Sequence, residues 1–364
     1  MKIKEILNAL ECFAPLPLQD GFDNSGLQIG LTDVEATGAL LCLDVTEKVI
    51  DEAIEKGCNL IIAHHPLLFV GYKSITGKTY VERCIMKAIK NDIVIYAAHT
   101  NLDNVKGGVS FKIAEKLGLT NAQVLSPKLE QLAKLVTFVP TNHADAVRKA
   151  LFDAGCGAIG DYDSCSYNLT GEGTFCAPEG SNPYCGEIGE MHKEPEVRIE
   201  TVMPHYLKGA AIKALIAAHP YEEPAFDIYS LDNAWNEVGA GVVAELPEEA
   251  DELEFLKKIK ETFHVGCVKH SKLRNKPIKK VALCGGSGGF LLSQAIAAQA
   301  DLFISAEIKY HDYFGKDEQI LIADIGHYES EQFTNELFYS IIKDLFPNFA
   351  LHLSEVNTNP IKYL

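Results

Sequence analysis

Short, uninterrupted apolar runs alternate through both ends of the chain with segments in which apolar residues recur every three or four positions. A short apolar run bounded by turn residues suits a strand buried on both faces, whereas the longer spacing marks an amphipathic helix. The pattern predicts strands at 38–44, 59–63 and 93–98, interleaved with helices at 46–56, 79–90 and 108–117. The same style returns later, with strands at 280–284, 301–305, 319–324 and 349–354 and helices at 289–299 and 328–343. Ile3, Ile6, Leu7 and Leu10 add a helical stripe at the start. The expected fold class is α/β, with two αβα-layered halves, 1–127 and 237–364, packed around a cleft.

The middle is patterned differently. Residues 196–202 alternate, as in a sheet with one wet face, and further strands are predicted at 135–140, 162–167, around Thr174 and Phe175, and at 225–231. Helices at 143–154 and 206–218 separate them. Strand, helix, strands, helix, strand is the ferredoxin-like order, so 128–236 is expected to be an inserted ferredoxin-like α+β domain.

A length of 364 residues exceeds one ordinary core and agrees with several domains. The net charge of −17 opposes general nucleic-acid binding, which needs a basic surface, and opposes docking on anionic membranes. No apolar run approaches the roughly 20 residues that span a bilayer. Glu5, Asn8 and Glu11 interrupt any signal-peptide core, so a cytoplasmic location is expected. Ten cysteines without a Cys-x-x-Cys pair read as free thiols in a reducing compartment.

The run Asn59-Leu-Ile-Ile-Ala-His64-His65-Pro66 sets two adjacent histidines at a strand end. Neighbouring side chains on a strand face opposite ways, so the pair either sits on a turn or serves two different ions. His99 and Asp103 follow the next strand, and His327 and Glu331 lie one helical turn apart behind another. Open α/β sheets gather ligands outside the carboxyl ends of their strands. Imidazoles mixed with carboxylates suit a pair of divalent ions, with zinc, iron, manganese, cobalt or nickel all compatible. Asp103 and Glu331 are the candidate bridges, and His99 is a ligand, a ligand's support or a proton carrier. Glu307 also follows a strand end and either faces the cleft or begins an exposed helix.

Other features carry weaker signals. His143, His192, His264 and His270 read as ordinary histidines. The glycine-rich stretch 285–289 is either a phosphate-holding loop or a structural turn. Asp23-Asn24-Ser25-Gly26 reads as a turn, and His219-Pro-Tyr-Glu-Glu-Pro224 as a helix stop or a ligand-holding loop.

Taken in order, Asp23-Asn-Ser-Gly-Leu-Gln-Ile-Gly30, His64-His65-Pro66, His99-Thr-Asn-Leu-Asp103, Gly285-Gly-Ser-Gly-Gly289 and Gly326-His-Tyr-Glu-Ser-Glu331 resemble the Nif-three-like dinuclear-metal family, the GTP cyclohydrolase 1 type 2 homologs. Residues 155–163 and the His219 loop are similar to its longer bacterial subgroup, whose insert resembles nitrogen-regulatory P-two and copper-tolerance domains. Phe22 and Glu307 stand where many relatives have tryptophan and aspartate. The resemblance implies a toroidal homohexamer and two metal ions per chain, zinc foremost, held by His64, His65, Asp103, His327 and Glu331. It implies hydrolysis of GTP with ring opening to dihydroneopterin triphosphate and formate, with His99 and Glu307 as candidates for moving protons. Paired ions serve a phosphoesterase acting on another nucleotide or phosphate-bearing small molecule equally well. From another class, the alternative is a non-catalytic regulatory or scaffold protein whose insert senses a small ligand.

Overall fold

The apolar runs of the first segment fold into β2 (Ala39–Cys42), β3 (Leu60–Ala63) and β4 (Val94–Ala97), every residue of which is buried in the computed structural model. Residues 1–316 and 318–364 are described, in two compact units: 1–126 with 237–364, and 127–236. In the first unit, β1 (Gly26–Ile29) joins β4 antiparallel and β15 (Leu351–Leu353) joins β2 parallel, giving the order β1-β4-β3-β2-β15. A second sheet runs β11 (Lys269–His270), β14 (Leu321–Asp324), β13 (Leu302–Ala306), β12 (Ile278–Ser287), β10 (Trp235–Ala250) and β5 (Thr120–Lys128). Its β12, β13 and β14 are mutually parallel.

Alternation along each strand sends side chains to two different cores. Leu41, Leu60, Ile62 and Tyr96 share one core with Val281, Leu283, Leu302 and Ile304 of the second sheet. Apolar stripes of α1 (Ile3–Phe13), α5 (Val109–Leu117), α8 (Glu252–Thr262) and α11 (Thr334–Leu345) complete it. On the far side of the first sheet, α2 (Glu47–Glu55) and α3 (Tyr80–Lys90) cover Leu40, Ile61 and Ile95. On the far side of the second, α9 (Leu292–Ala297) covers Phe303 and Ile322. The two αβα halves therefore share their middle helical layer, and β15 from the last segment completes the first sheet.

The structure departs from the pattern in three places. The predicted helix 328–343 is two helices, α10 (His327–Glu331) and α11. At the junction Gln332 Nε2 donates to the carbonyls of Phe263 and Glu329, and the Phe333 ring packs on Phe263 at 5.5 Å. The predicted helix 289–299 opens as a 3-10 turn and is α-helical only over α9. β5, β10 and α8 are additional to the pattern-derived elements, although Asp251 caps α8 by accepting from the amides of Leu253 and Glu254.

The unit 127–236 holds β6 (Leu132–Pro140), β7 (Ser166–Cys176), β8 (Met191–Pro204) and β9 (Phe226–Leu231) in one antiparallel sheet ordered β7-β8-β6-β9. The segment predicted near Thr174 and only the last two residues of the one predicted at 162–167 belong to the single strand β7; Tyr162 instead bridges Ile159. Helices α6 (Ala144–Asp153) and α7 (Lys208–Ala218) bury Val147, Leu151, Ala211 and Leu215 against Ala133, Leu135, Val139, Ile199 and Met203 on one face. Among the described residues no helix is long and apolar enough to cross a membrane.

Candidate metal centre

Parallel pairing brings strand ends together. β2, β3 and β4 run side by side, and the residues just past their carboxyl ends include Asp44, His64, His65 and His99. The ladder continues through the histidine pair, since His64 N donates to Cys42 O and His65 N to Leu43 O. In the second sheet the same ends carry residues 285–289, Glu307 and His327. The short helix α4 (Thr100–Asp103) adds Asp103, and α10 adds Glu331 one turn beyond His327.

Hydrogen bonds orient every imidazole in the same sense. His64 Nδ1 donates to Ala98 O at 2.9 Å, and His65 Nδ1 to Asp44 Oδ1 at 2.8 Å. His327 Nδ1 donates to Glu307 Oε1 at 3.1 Å, and His99 Nδ1 to Asp23 Oδ1 at 2.7 Å. Each partner is an acceptor, so each neutral ring is left with a bare lone pair on Nε2. His65 Nε2 and His327 Nε2 lie 3.3 Å apart. Glu331 Oε2 sits 3.1 Å from the first and 3.2 Å from the second. Its other oxygen, Oε1, is 3.7 Å from His64 Nε2, which is itself 3.7 Å from Asp103 Oδ1. Glu331 thus gives one oxygen to a His65–His327 side and one to a His64–Asp103 side. His64 Nε2, Asp103 Oδ1 and Glu331 Oε2 are buried and make no hydrogen bond.

Unsatisfied buried polar atoms are costly, about 1–3 kcal/mol each, and native structures explain them with a missing partner. Here a cation is the partner the chemistry asks for. Donor atoms of His64, His65 and His99, and of His65, His327 and Glu331, fall within 4.8 Å of one another in each trio, so these groups can hold metal. Asp23, Asp44, Asp103, Glu307 and Glu331 crowd the four rings with more negative charge than neutral imidazoles offset. Without a metal, protons do that work. Burial pulls His65 down, but Asp44 and Glu331 outweigh it and push it up to about 10. The Glu331 carboxylate, 3.2 Å from Nε2, raises His327 to about 9. Burial and then Glu331 drive Asp103 well above the carboxylate range, while the imidazoles overcome burial and hold Glu331 well below it. Fully buried His64 is pushed down and stays neutral.

The surroundings show what the sequence reading left out. Asp44 accepts from His65 with Oδ1 and from Thr358 Oγ with Oδ2 at 2.7 Å. Asp23, read as a turn residue, holds His99 with one oxygen and the Thr100 amide and hydroxyl with the other. Each of these carboxylates fixes the tautomer and orientation of its imidazole. The strand-end rule that picked out His64 also reaches Asp44; Asp23 had no such signal. Glu307 holds Nδ1 of His327 from a left-handed backbone, φ +56°, a conformation costing about 1–3 kcal/mol in a non-glycine residue. That contact orients the ring. The glycine-rich loop proves structural: the amides of Gly285, Gly286 and Gly288 donate to the hydroxyls of Ser110, Ser330 and Ser305. Gly286 has φ +60°, and a Cβ there would meet Glu331 Oε1 at 2.3 Å, so the loop packs directly on the bridging candidate. His219 is no ligand either, because Nε2 donates to Phe138 O and Nδ1 accepts from the Tyr221 amide.

The family described as Duf34/NIF3 (NGG1p interacting factor 3) matches residues 1–360. The chain belongs to the DUF34/NIF3 family. It is 39% identical to a Halalkalibacterium halodurans protein named GTP cyclohydrolase 1 type 2 homolog, over 99% of this chain and 98% of that one. A Bacillus subtilis protein of the same name is 38% identical over 99% and 98%. Among solved structures, a Bacillus cereus protein related to NIF3 superposes with a TM-score of 0.85 at 39% identity, covering 100% of this chain and 99% of that chain. The family match spans both units.

Proposed function

We propose that the protein is a dinuclear-metal hydrolase acting on GTP or a related nucleotide, with His64, His65, Asp103, His327 and Glu331 holding two divalent ions, zinc foremost. The observation that carries this reading is the set of bare Nε2 atoms and unbonded carboxylate oxygens converging behind fully hydrogen-bonded Nδ1 atoms. Bound there, two ions would supply a lowered water pKa and polarisation of a substrate atom. The chain's own residues do the rest. Asp23 keeps the His99 proton on Nδ1, so Nε2 is free to accept a proton from the attacking water and return it to a leaving nitrogen. Glu307 keeps His327 turned toward Glu331.

A nucleobase fits the neighbourhood. Phe69 stands edge-on to His99 at 6.4 Å, and Phe22 lies 6.4 Å from Phe69. Both rings are exposed beside the site, and exposed aromatic faces take flat bases by stacking. A toroidal hexamer, a ferredoxin-like insert of the P-two type and a cytoplasmic setting belong to the same proposal, supported by the family motifs and by the β-α-β-β-α-β order of the second unit. Light scattering measures the assembly.

The test is direct. Protein loaded in turn with zinc, manganese or iron is incubated with GTP and other nucleotides while pterin fluorescence and formate are followed. Turnover that His64→Ala with His65→Ala abolishes supports the mechanism; turnover that survives the pair overturns it. One observation favours the second reading, a metal-binding regulator: the insert contains a cavity of about 720 Å³ lined by Phe138, Phe175, Tyr184 and Tyr221. Metal-replete protein inactive on every nucleotide would select that reading.

A further inference from the structure

We propose that the inserted unit carries a separate metal site, built from Cys185, His192 and Glu194, that takes one thiophilic divalent ion such as zinc. His192 and Glu194 are two residues apart on β8 and so share a face. It is the face opposite α6 and α7, because the core on the helical side takes Val197, Ile199 and Met203 from the same strand. The loop between β7 and β8 folds over this open face. Its Gly189 amide donates to Ala177 O, and its Asn182 amide donates to Glu222 Oε2 at 2.9 Å. At Gly186 the backbone turns through φ +80°, and a Cβ there would strike His192 Cβ at 2.8 Å. Close passage over His192 thus requires glycine and leaves Cys185 beside the strand.

Donor atoms of Cys185, His192 and Glu194 lie within 4.8 Å of one another, with His192 Nε2 2.9 Å from Glu194 Oε2. Zinc bonds of roughly 2.0–2.3 Å need little further closure of such a trio. Thiolate, imidazole and carboxylate is a borderline-soft set that calcium and magnesium do not favour. The chemistry opposes a nucleophilic role for the thiol. Burial raises Cys185, and Glu194 raises it further against the Tyr221 hydrogen bond, so the group is a protonated thiol at neutral pH. A cation overcomes this by displacing the proton: the S–H bond breaks, the sulfur–metal bond forms, and one proton goes to solvent. Three protein donors leave a coordination position open. Tyr221, whose hydroxyl is 4.0 Å from Cys185 Sγ, also lines the 720 Å³ cavity.

Cobalt(II) separates this site from the centre in the other unit, whose proposed donors are nitrogen and oxygen only. Metal-free full-length protein titrated with cobalt is expected to develop a thiolate-to-cobalt charge-transfer band in the near ultraviolet that saturates at a single equivalent. The band should vanish in Cys185→Ser, weaken at least tenfold in apparent affinity in His192→Ala, and persist in the His64→Ala, His65→Ala protein. Unchanged far-ultraviolet circular dichroism and retained visible cobalt absorption in Cys185→Ser show that the variant is folded. Absence of the band from the parent protein, or its survival in Cys185→Ser, overturns the proposal.

Discussion

The two units place chemistry in different parts of a sheet. In the first unit β2, β3, β4 and β14 are buried along their whole length, because helices cover both faces. Polar side chains have no room there and collect past the strand ends, where parallel pairing aligns them. In the second unit β8 alternates, β7 is largely exposed, and one face of the sheet lacks helices. Polar groups can then sit along the strand itself, as His192 and Glu194 do. A doubly covered sheet confines function to an edge; a singly covered sheet opens a whole face to it.

Substitutions can break this contrast, and the largest effect is expected at Glu331. Its two oxygens face different sides of the candidate centre, so on the two-ion proposal Glu331→Ala should abolish binding of both ions and the proposed turnover, whereas His327→Ala should keep the ion on the His64 side. Elemental analysis of dialysed protein distinguishes them; full metal content in Glu331→Ala would refute the shared role. Next comes the doubly covered sheet itself. Ile62→Ala opens a cavity in a fully buried strand and should cost about 2–5 kcal/mol in denaturant unfolding.

A smaller effect tests the ring partners. Asp44→Asn keeps the shape but weakens the orientation of His65, and metal affinity should drop about 10–100-fold in chelator competition. The protonation of the metal-free rings gives a fourth test. His65 and His327 are raised to about 10 and about 9, so both carry protons at pH 7 and ions must displace them. Uptake should release protons, and affinity should climb with pH until both rings are neutral, an effect seen as buffer-dependent heats in calorimetry. Heats independent of buffer ionisation would contradict it. Least of all, Leu169→Ala on the open face of β7 should change stability by no more than about 0.5 kcal/mol.

Much of this was legible in residue order. Apolar runs located the doubly buried strands, and the strand-end rule located His64, His65, His99 and His327 before any contact was known. What stayed hidden depends on tertiary partners. Asp23 and Asp44 matter because of rings they meet across 76 and 21 residues of chain; the strand-end position hints at Asp44, but no local pattern encodes either pairing. β10 mixes glycine, valine and glutamate, and its burial follows no clean alternation. The split between α10 and α11 follows from Gln332 and Phe333 both engaging Phe263. Glycines 285–289 suited phosphate on composition alone; only the serine hydroxyls against their amides showed that those donors are taken.

The pairing of β15 with β2 has a consequence for how the chain is made. Leu351 lies opposite Ala39, so the first sheet cannot be completed until residues 351–353 have left the ribosome. The segment 127–236 is contiguous, with its own sheet and core, and is free to fold during synthesis. The candidate metal centre, which needs His327 and Glu331 from the last segment, can close only after that segment has been made.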